Sequence, residues 1–328
     1  MRVTSAVSRI GVLLALFLCV VVSSGAVAQA WPERPVRVIV PYGAGTPPDY
    51  LVRLVTGRLT QSLGQAVVVE NRPGANALIG MQAGAKSPAD GYTVIYAGLA
   101  AMAINPSVYA NLPYDPEKDF DPVVMAFSTA LYVLVGGKSP YKTLGDLLAA
   151  ARTPGKNLNY GSLGPGSEAH LAMEDFRTRA NFPMAHVPFK GGDFVPALIR
   201  GDVDAMFLGI GSVSGLVNQG QLRALATGAP QRSAAFPDIP TVAEAARVDG
   251  FTASAWGAFV VPARTRPAIT SRLNAEINTV LALPDLKAEL AKIDFVAIGG
   301  TPDAVTRTVR ADTARFAQVV KTTGTKLD

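Results

Sequence analysis

From Val36 onward the chain alternates short β-branched runs with stretches whose apolar residues recur at helical spacing, and this rhythm constrains the fold more than any other feature. Val36-Arg37-Val38-Ile39-Val40 reads as a strand, stopped by Pro41 and a Gly/Pro loop. Residues 50–63 follow, with Leu51, Leu54, Val55, Leu59 and Leu63 on one helical face. Val67-Val68-Val69 is a second strand and Asn71-Arg72-Pro73-Gly74 a turn; 79–86 is a helix and 92–96 a third strand. Parallel strands need long crossover connections, and helices supply them, so the order predicts an α/β fold with helices on the faces of a parallel sheet.

The rhythm then breaks and restarts. Residues 105–122 carry four prolines and many charges and read as a surface loop. Thr143-Leu144-Gly145-Asp146 has capping-box spacing and opens a helix to about Ala151. Strands are expected at 157–161, 185–188 and 205–208, with helices at 167–179 and 195–200. Two β-rich segments, 123–136 and 251–261, stand outside the alternation and bracket this second half. Beyond residue 262 the sequence reads as helical at 269–283, 286–292 and 304–322. Thr301 is the N-cap of the last helix and Pro302 takes its first position. The economical architecture is two lobes joined by two extended segments: 31–128 plus 254–328 as lobe one, 129–253 as lobe two, a ligand cleft between them.

Residues 1–30 belong to neither lobe. Arg2 and Arg9 precede a 13-residue apolar run from Ile10 to Val22, and Ala28-Gln29-Ala30 ends the segment with small residues. That run is short of the roughly 20 residues a bilayer span needs. It reads as an export signal, cleaved after Ala30, that places the mature chain in the periplasm. Cys19 lies behind the bulky Leu16-Phe17-Leu18, which argues against lipid attachment.

Cleavage removes the single Cys and two of the 30 basic residues, lowering the formal charge from +5 to +3. No run of consecutive Lys or Arg remains, so no nucleic-acid partner is expected. His170 and His186 are the only histidines, so no Cys/His zinc site is available; no metal and no cofactor are assigned.

Two strand-to-helix loops carry what chemistry there is. One is Tyr42-Gly43-Ala44-Gly45-Thr46-Pro47-Pro48-Asp49, the other Gly161-Ser162-Leu163-Gly164-Pro165-Gly166-Ser167-Glu168. Glycine admits close backbone approach, and a helix start offers unpaired N–H groups and partial positive charge. An anion between two such loops is held without Lys or Arg, at the strand ends where open α/β sheets bind ligands. The alternative stays open: Thr46-x-x-Asp49 also fits a capping box, and Ser167 an ordinary N-cap, so both loops read equally as plain helix openings.

Neither loop is a P-loop or G-x-G-x-x-G, so a dinucleotide site has no support. Tyr160 stands where a nucleophile elbow before Ser162 needs glycine. Ser139-Pro140-Tyr141-Lys142 has the letters of S-x-x-K, but Pro140 disfavours presenting Lys142 over Ser139 on a helix. No catalytic residue is assigned. His170 reads as a packing or hydrogen-bonding residue, His186 is open between packing and function, and Trp256 reads as core.

The chain resembles the Bug-type periplasmic solute-binding proteins, the receptors of tripartite tricarboxylate transport systems. The resemblance rests on motifs in order along the mature chain. They are Pro41-Tyr42 with Asp49, Glu70-Asn71-Arg72-Pro73-Gly74, Ala89-Asp90-Gly91-Tyr92, Leu112-Pro113-Tyr114-Asp115-Pro116, Tyr160-Gly161-Ser162 with His170-Leu171, His186-Val187-Pro188-Phe189-Lys190-Gly191, and Asp238-Ile239-Pro240-Thr241.

The resemblance implies a two-lobed fold of the periplasmic binding protein type II kind. It also implies a small carboxylate held by backbone groups and waters, and membrane permease subunits of a tripartite tricarboxylate transporter as partners. Two departures lie near the implied pocket: Thr46-Pro47-Pro48 replaces the usual glycine-rich opening, and Gly74-Ala75-Asn76-Ala77 the usual Gly-Ala-Gly-Gly.

The expected site has Tyr42, Gly43, Ala44, Gly45 and the Thr46 hydroxyl as one wall. Asp49 either caps the helix or meets a ligand hydroxyl or amine. Ser162, Gly164, Gly166 and Ser167 form the opposite cradle, and Ser128 the floor. Hinge closure about 123–136 and 251–261 then traps the ligand in a monomer, with micromolar or tighter affinity, on the order of −8 kcal/mol. The rival classes are a periplasmic ligand-sensing subunit for a histidine kinase and a secreted α/β hydrolase.

Overall fold

The computed structural model describes residues 31–189 and 192–327. The order begins β1 (Val36–Val40), α1 (Pro47–Leu63), β2 (Val67–Asn71), α2 (Leu78–Ala85) and β3 (Thr93–Gly98). A π-helical turn (Ala100–Ile104) and the short α3 (Asn105–Val108) lead to the long β4 (Phe120–Gly136). Then come α4 (Leu144–Ala151), β5 (Asn159–Ser162), α5 (Glu168–Arg179), β6 (Ala185–Pro188), α6 (Phe194–Arg200), β7 (Ala205–Gly209), α7 (Ser214–Asn218), β8 (Leu222–Thr227) and α8 (Val242–Ala246). β9 (Ser254–Pro262), α9 (Pro267–Ala282), α10 (Pro284–Ala291), β10 (Phe295–Gly299) and α11 (Pro302–Thr323) complete the chain.

The strands follow the order β2-β1-β3-β9-β4-β7-β5-β6, with β8 and β10 also on β4. β1 is parallel to β2 and β3, and β5 to β6 and β7. β4 joins these two parallel groups. Its first part, Phe120 to Ala130, pairs with β9 antiparallel; its second part, from Leu131, pairs with β7 and β8. The partner exchange between Ala130 and Leu131 sits where the returning chain crosses, the Leu131 amide donating to Ala253 O at 2.9 Å. A two-lobed α/β fold results, each lobe a parallel sheet group with its own helices.

Both sheet faces are covered, which is why the parallel strands read as apolar runs rather than alternating ones. In β1, Val38 and Val40 pack with Leu51, Val55 and Ile277 on one face, while Ile39 packs with Met81 and Val260 on the other. The second lobe repeats this, with Phe176, Phe207 and Phe251 on one face of its sheet and Leu134, Leu198 and Met206 on the other. Fully burying a side chain such as Leu51 stabilises by roughly 1.5–3 kcal/mol, so α1, with Leu51, Val52, Val55, Leu59 and Leu63 buried, is fixed mainly by its apolar stripe.

Three expectations need correction. The tail is not helical throughout: β10 lies between α10 and α11, antiparallel to β4. Its Val296 and Ile298 are 62% and 46% exposed, so the strand packs one side only, through Phe295 and Ala297, and pairs its backbone with β4. The 105–122 segment is not all loop, since α3 continues the π-helical turn at its start and β4 has already begun at its end. The spacing also gave no sign of β8, which pairs antiparallel with β4 with a register shift between Val133 and Leu134. The Thr143/Asp146 capping box forms as expected, and residues 1–30, with the export signal read there, lie outside the described residues.

Candidate functional site

A cleft of about 380 Å³ runs between the lobes. Tyr42, Thr46, Pro47 and Tyr96 line it from the first lobe and Leu163, Glu168, Phe194 and Phe207 from the second. Phe127, Thr129 and Trp256, on β4 and β9, complete the lining. The walls are aromatic and aliphatic. The lining contains one carboxylate, Glu168, and no Lys, Arg or His.

The first loop is built around Asp49, which is 3% exposed. Its Oδ2 accepts from the Gly45 amide at 2.9 Å, and its Oδ1 accepts from Asn71 Nδ2 at 2.8 Å and Arg53 Nε at 3.0 Å. Burial pushes the Asp49 carboxyl up, but the hydrogen bonds from Arg53, Gly45 and Asn71 outweigh it and hold it below the usual range. The Asn71 amide also donates to Tyr42 O at 3.1 Å, so one carboxamide ties the end of β2 to the loop.

The Thr46/Asp49 capping box therefore does not form. Thr46 Oγ1 turns back and donates to Gly43 O at 2.6 Å, and Thr46 makes no side-chain cap bond. Asp49 reaches one residue further, to the Gly45 amide, while the Thr46 amide donates to Gly43 O at 3.3 Å. Asp49 shapes the loop and is not among the cleft-lining residues. Among the described residues nothing accepts from the Gly43 and Ala44 amides.

The second loop is fastened from within. Ser162 is fully buried; its Oγ lies 2.7 Å from His186 Nε2, accepts from the Gly164 amide at 3.1 Å and donates to Gly164 O at 3.1 Å. Ser167 caps α5 as expected, accepting from the His170 amide at 3.3 Å and donating to Gly164 O at 2.8 Å. The Gly166 amide donates to His170 Nδ1 at 3.1 Å. His170 and His186 stack with ring centroids 4.0 Å apart, and His186 stacks in turn on Tyr160 at 5.0 Å.

The expected site residues thus divide. Tyr42 and Thr46 line the cleft, and Gly43, Ala44 and Gly45 form the adjoining turn. Ser162, Gly164, Gly166 and Ser167 are brought together, but they hold the loop's shape; Leu163, Glu168 and Ala169 are the residues of that region that line the cleft. Ser128 is not the cleft floor. Phe127 and Thr129 line the cleft, whereas Ser128 lines an adjoining hollow with Tyr132, Ser233 and Asp294, to which Thr129 also contributes. Trp256 is both core and wall: 8% exposed, it donates from Nε1 to Asp312 Oδ2 at 2.7 Å and still lines the cleft.

Glu168 stands directly after the glycine-rich loop and belongs to no motif of its own in the sequence. Its place as first residue of α5, one position after the N-cap, was the available signal. Oε1 accepts from the Ala100 amide of the opposite lobe at 3.3 Å.

Comparison with known proteins places this geometry. The model of the tripartite tricarboxylate transporter family receptor matches residues 51–325. Protein BugT of Bordetella pertussis (strain Tohama I) is 35% identical over 302 residues, covering 92% of each chain. A protein of the tcbD-tcbE intergenic region of Pseudomonas sp. (strain P51) is 33% identical over 89% of this chain and 87% of its own. Among solved structures, Rpa4515 of R. palustris with adipate superposes with a TM-score of 0.84 at 33% identity, covering 90% of this chain and 99% of that one. MatC of Rhodopseudomonas palustris with bound malate gives 0.79 at 28% identity, covering 88% and 100%. The chain belongs to the tripartite tricarboxylate transporter receptor family, the Bug-type periplasmic solute-binding proteins.

Proposed function

We propose that this protein is an extracytoplasmic receptor that traps a small carboxylate between its two lobes and delivers it to the permease subunits of a tripartite tricarboxylate transporter. The observation that carries the reading is the interlobe cleft of about 380 Å³ with a loop of partnerless amides at Gly43 and Ala44 on its rim. These amides lie two and three residues ahead of the Thr46 N-cap of a 17-residue helix, whose positive end favours an anion there without a basic side chain. The adipate and malate carried by two relatives are of a size this cleft accepts.

In this reading the lobes divide at 128/129 and 253/254, and β4 and β9 are the hinge. The first wall is Tyr42, Gly43, Ala44, Gly45 and Thr46, with Asp49 as their anchor. Ser162, Gly164, Gly166 and Ser167 keep the facing loop in shape. The protein works as a monomer in the periplasm after cleavage behind Ala30, and binds without catalysing.

Ligand-freed protein, screened by thermal shift against mono-, di- and tricarboxylates alongside neutral and cationic solutes, tests this. Shifts with carboxylates are expected; shifts confined to neutral or cationic solutes would sink the reading.

A further inference from the structure

Glu168 gives the cleft a charge that a simple dicarboxylate receptor has no use for. It is the one ionisable carboxylate of the lining, and no Lys, Arg or His lines the cleft with it. Among the described residues no cationic side chain pairs with it; its contact is the Ala100 amide at 3.3 Å, reached across the lobes. The residues around it are Tyr42, Tyr96, Phe127, Phe207 and Trp256, whose aromatic faces solvate a cation better than a second anion. A ligand carboxylate at the Gly43–Ala44 amides would share a poorly solvated cavity with Glu168, and two like charges there repel strongly.

We infer that the ligand is a zwitterion, a carboxylate bearing an ammonium group at its far end, and that Glu168 is the residue that selects it. This rests on the carboxylate-receptor reading above and narrows it. The ligand's carboxylate takes the loop amides, its ammonium group takes Glu168 and the aromatic walls, and Glu168 gains a counter-charge while the net charge of the cleft stays at −1, where a diacid would take it to −3. Burial pushes the Glu168 carboxyl above the usual range in spite of the two amides that donate to it, as expected of an acid still lacking its counter-charge. Burial and then the Glu168 charge also raise the Tyr42 and Tyr96 hydroxyls, which puts the carboxylate's field on the first lobe's side of the cleft as well.

Matched pairs of probes separate charge from length. Ligand-freed protein would be titrated calorimetrically with succinate and 4-aminobutyrate, adipate and 6-aminohexanoate, and terephthalate and 4-(aminomethyl)benzoate. The wild type is expected to bind the amino member of its best pair at least tenfold more tightly than the diacid. Glu168→Gln, which keeps shape and the Ala100 contact, should shrink that preference to threefold or less, and Glu168→Ala should do the same. A diacid bound as tightly as its amino partner, or a preference unchanged in both variants, overturns the inference and leaves the receptor reading standing. No binding by any of the six probes overturns both.

Discussion

Ser162 Oγ lies 2.7 Å from Nε2 of His186, the spacing of a nucleophile and its base, yet the pair is built as a brace. A nucleophile must meet substrate, and Ser162 is fully buried, absent from the cleft lining, and committed through Oγ to both the amide and the carbonyl of Gly164. Ser162→Ala would leave His186 and the Gly164 amide without this partner, at a cost of about 1–3 kcal/mol. The expected result is a melting temperature lower by several degrees and weaker carboxylate binding. Activated-ester hydrolysis should be at background in both proteins; turnover that disappears with Ser162 would establish the hydrolase reading instead.

Two glycines of the first loop should respond differently to the same methyl group. Gly45 has φ +78°, so Gly45→Ala strains the backbone although nothing lies within 4 Å of the added carbon. It should cost about 1 kcal/mol in urea unfolding. Gly43 has no such requirement, and its added carbon would meet only Thr46 Cγ2 at 3.7 Å. Gly43→Ala should unfold at the wild-type midpoint while weakening ligand binding at the adjoining amide. Equal destabilisation by the two would show that the loop serves the fold alone.

The strands and helices that could be read from the sequence are those whose apolar pattern faces a core on its own account. β1, α1 and the start of α5 are of that kind. β10 was not legible because its pairing comes from the β4 backbone, which leaves Val296 and Ile298 exposed and the pattern weak. The site was legible as two loops but not as roles. Thr46 and Asp49 have the spacing of a capping box, and only the three-dimensional position of Asn71 and Arg53 shows why Asp49 turns to Gly45 instead. Glu168 lies beside the residues singled out, and its importance depends on what the other lobe brings across the cleft.

The stacked histidines predict a dependence of stability on pH. Burial first, then the neighbouring His186, lowers His170 from 6.5 to about 4, while Glu174 and its partner Arg177 act in opposite directions. Burial lowers His186 too, with Glu174 opposing. In the native state His170 accepts the Gly166 amide on Nδ1, a bond that protonation would abolish. Between pH 6.5 and about 4 the unfolded chain therefore binds the extra proton, and stability falls as pH is lowered through that window. The full loss is on the order of 3 kcal/mol. Melting curves from pH 7.5 to 4 for the wild type and His170→Gln should converge on the acid side; parallel profiles would refute the assignment.

Gly211, in the turn after β7, packs against Ile293 O ahead of β10. A Cβ on Gly211 would lie 1.8 Å from that oxygen, so no side chain fits without moving backbone. The same junction carries Asp294, which accepts from Tyr132 Oη at 2.8 Å and from Ser233 Oγ at 2.7 Å. Tyr132 lies on the second part of β4 and Ser233 follows β8, whereas Asp294 immediately precedes β10. Gly211→Ala must push the 293–294 backbone away and stretch those bonds, an overpacking cost of about 1–3 kcal/mol. Because the strain falls on the contact between lobes and not within either core, it should act on closure. The variant should keep the wild-type circular dichroism, bind carboxylate at least tenfold more weakly, and show a larger radius of gyration in small-angle scattering with ligand present. Wild-type affinity in a folded Gly211→Ala protein would mean that binding does not require the lobes to meet at this point.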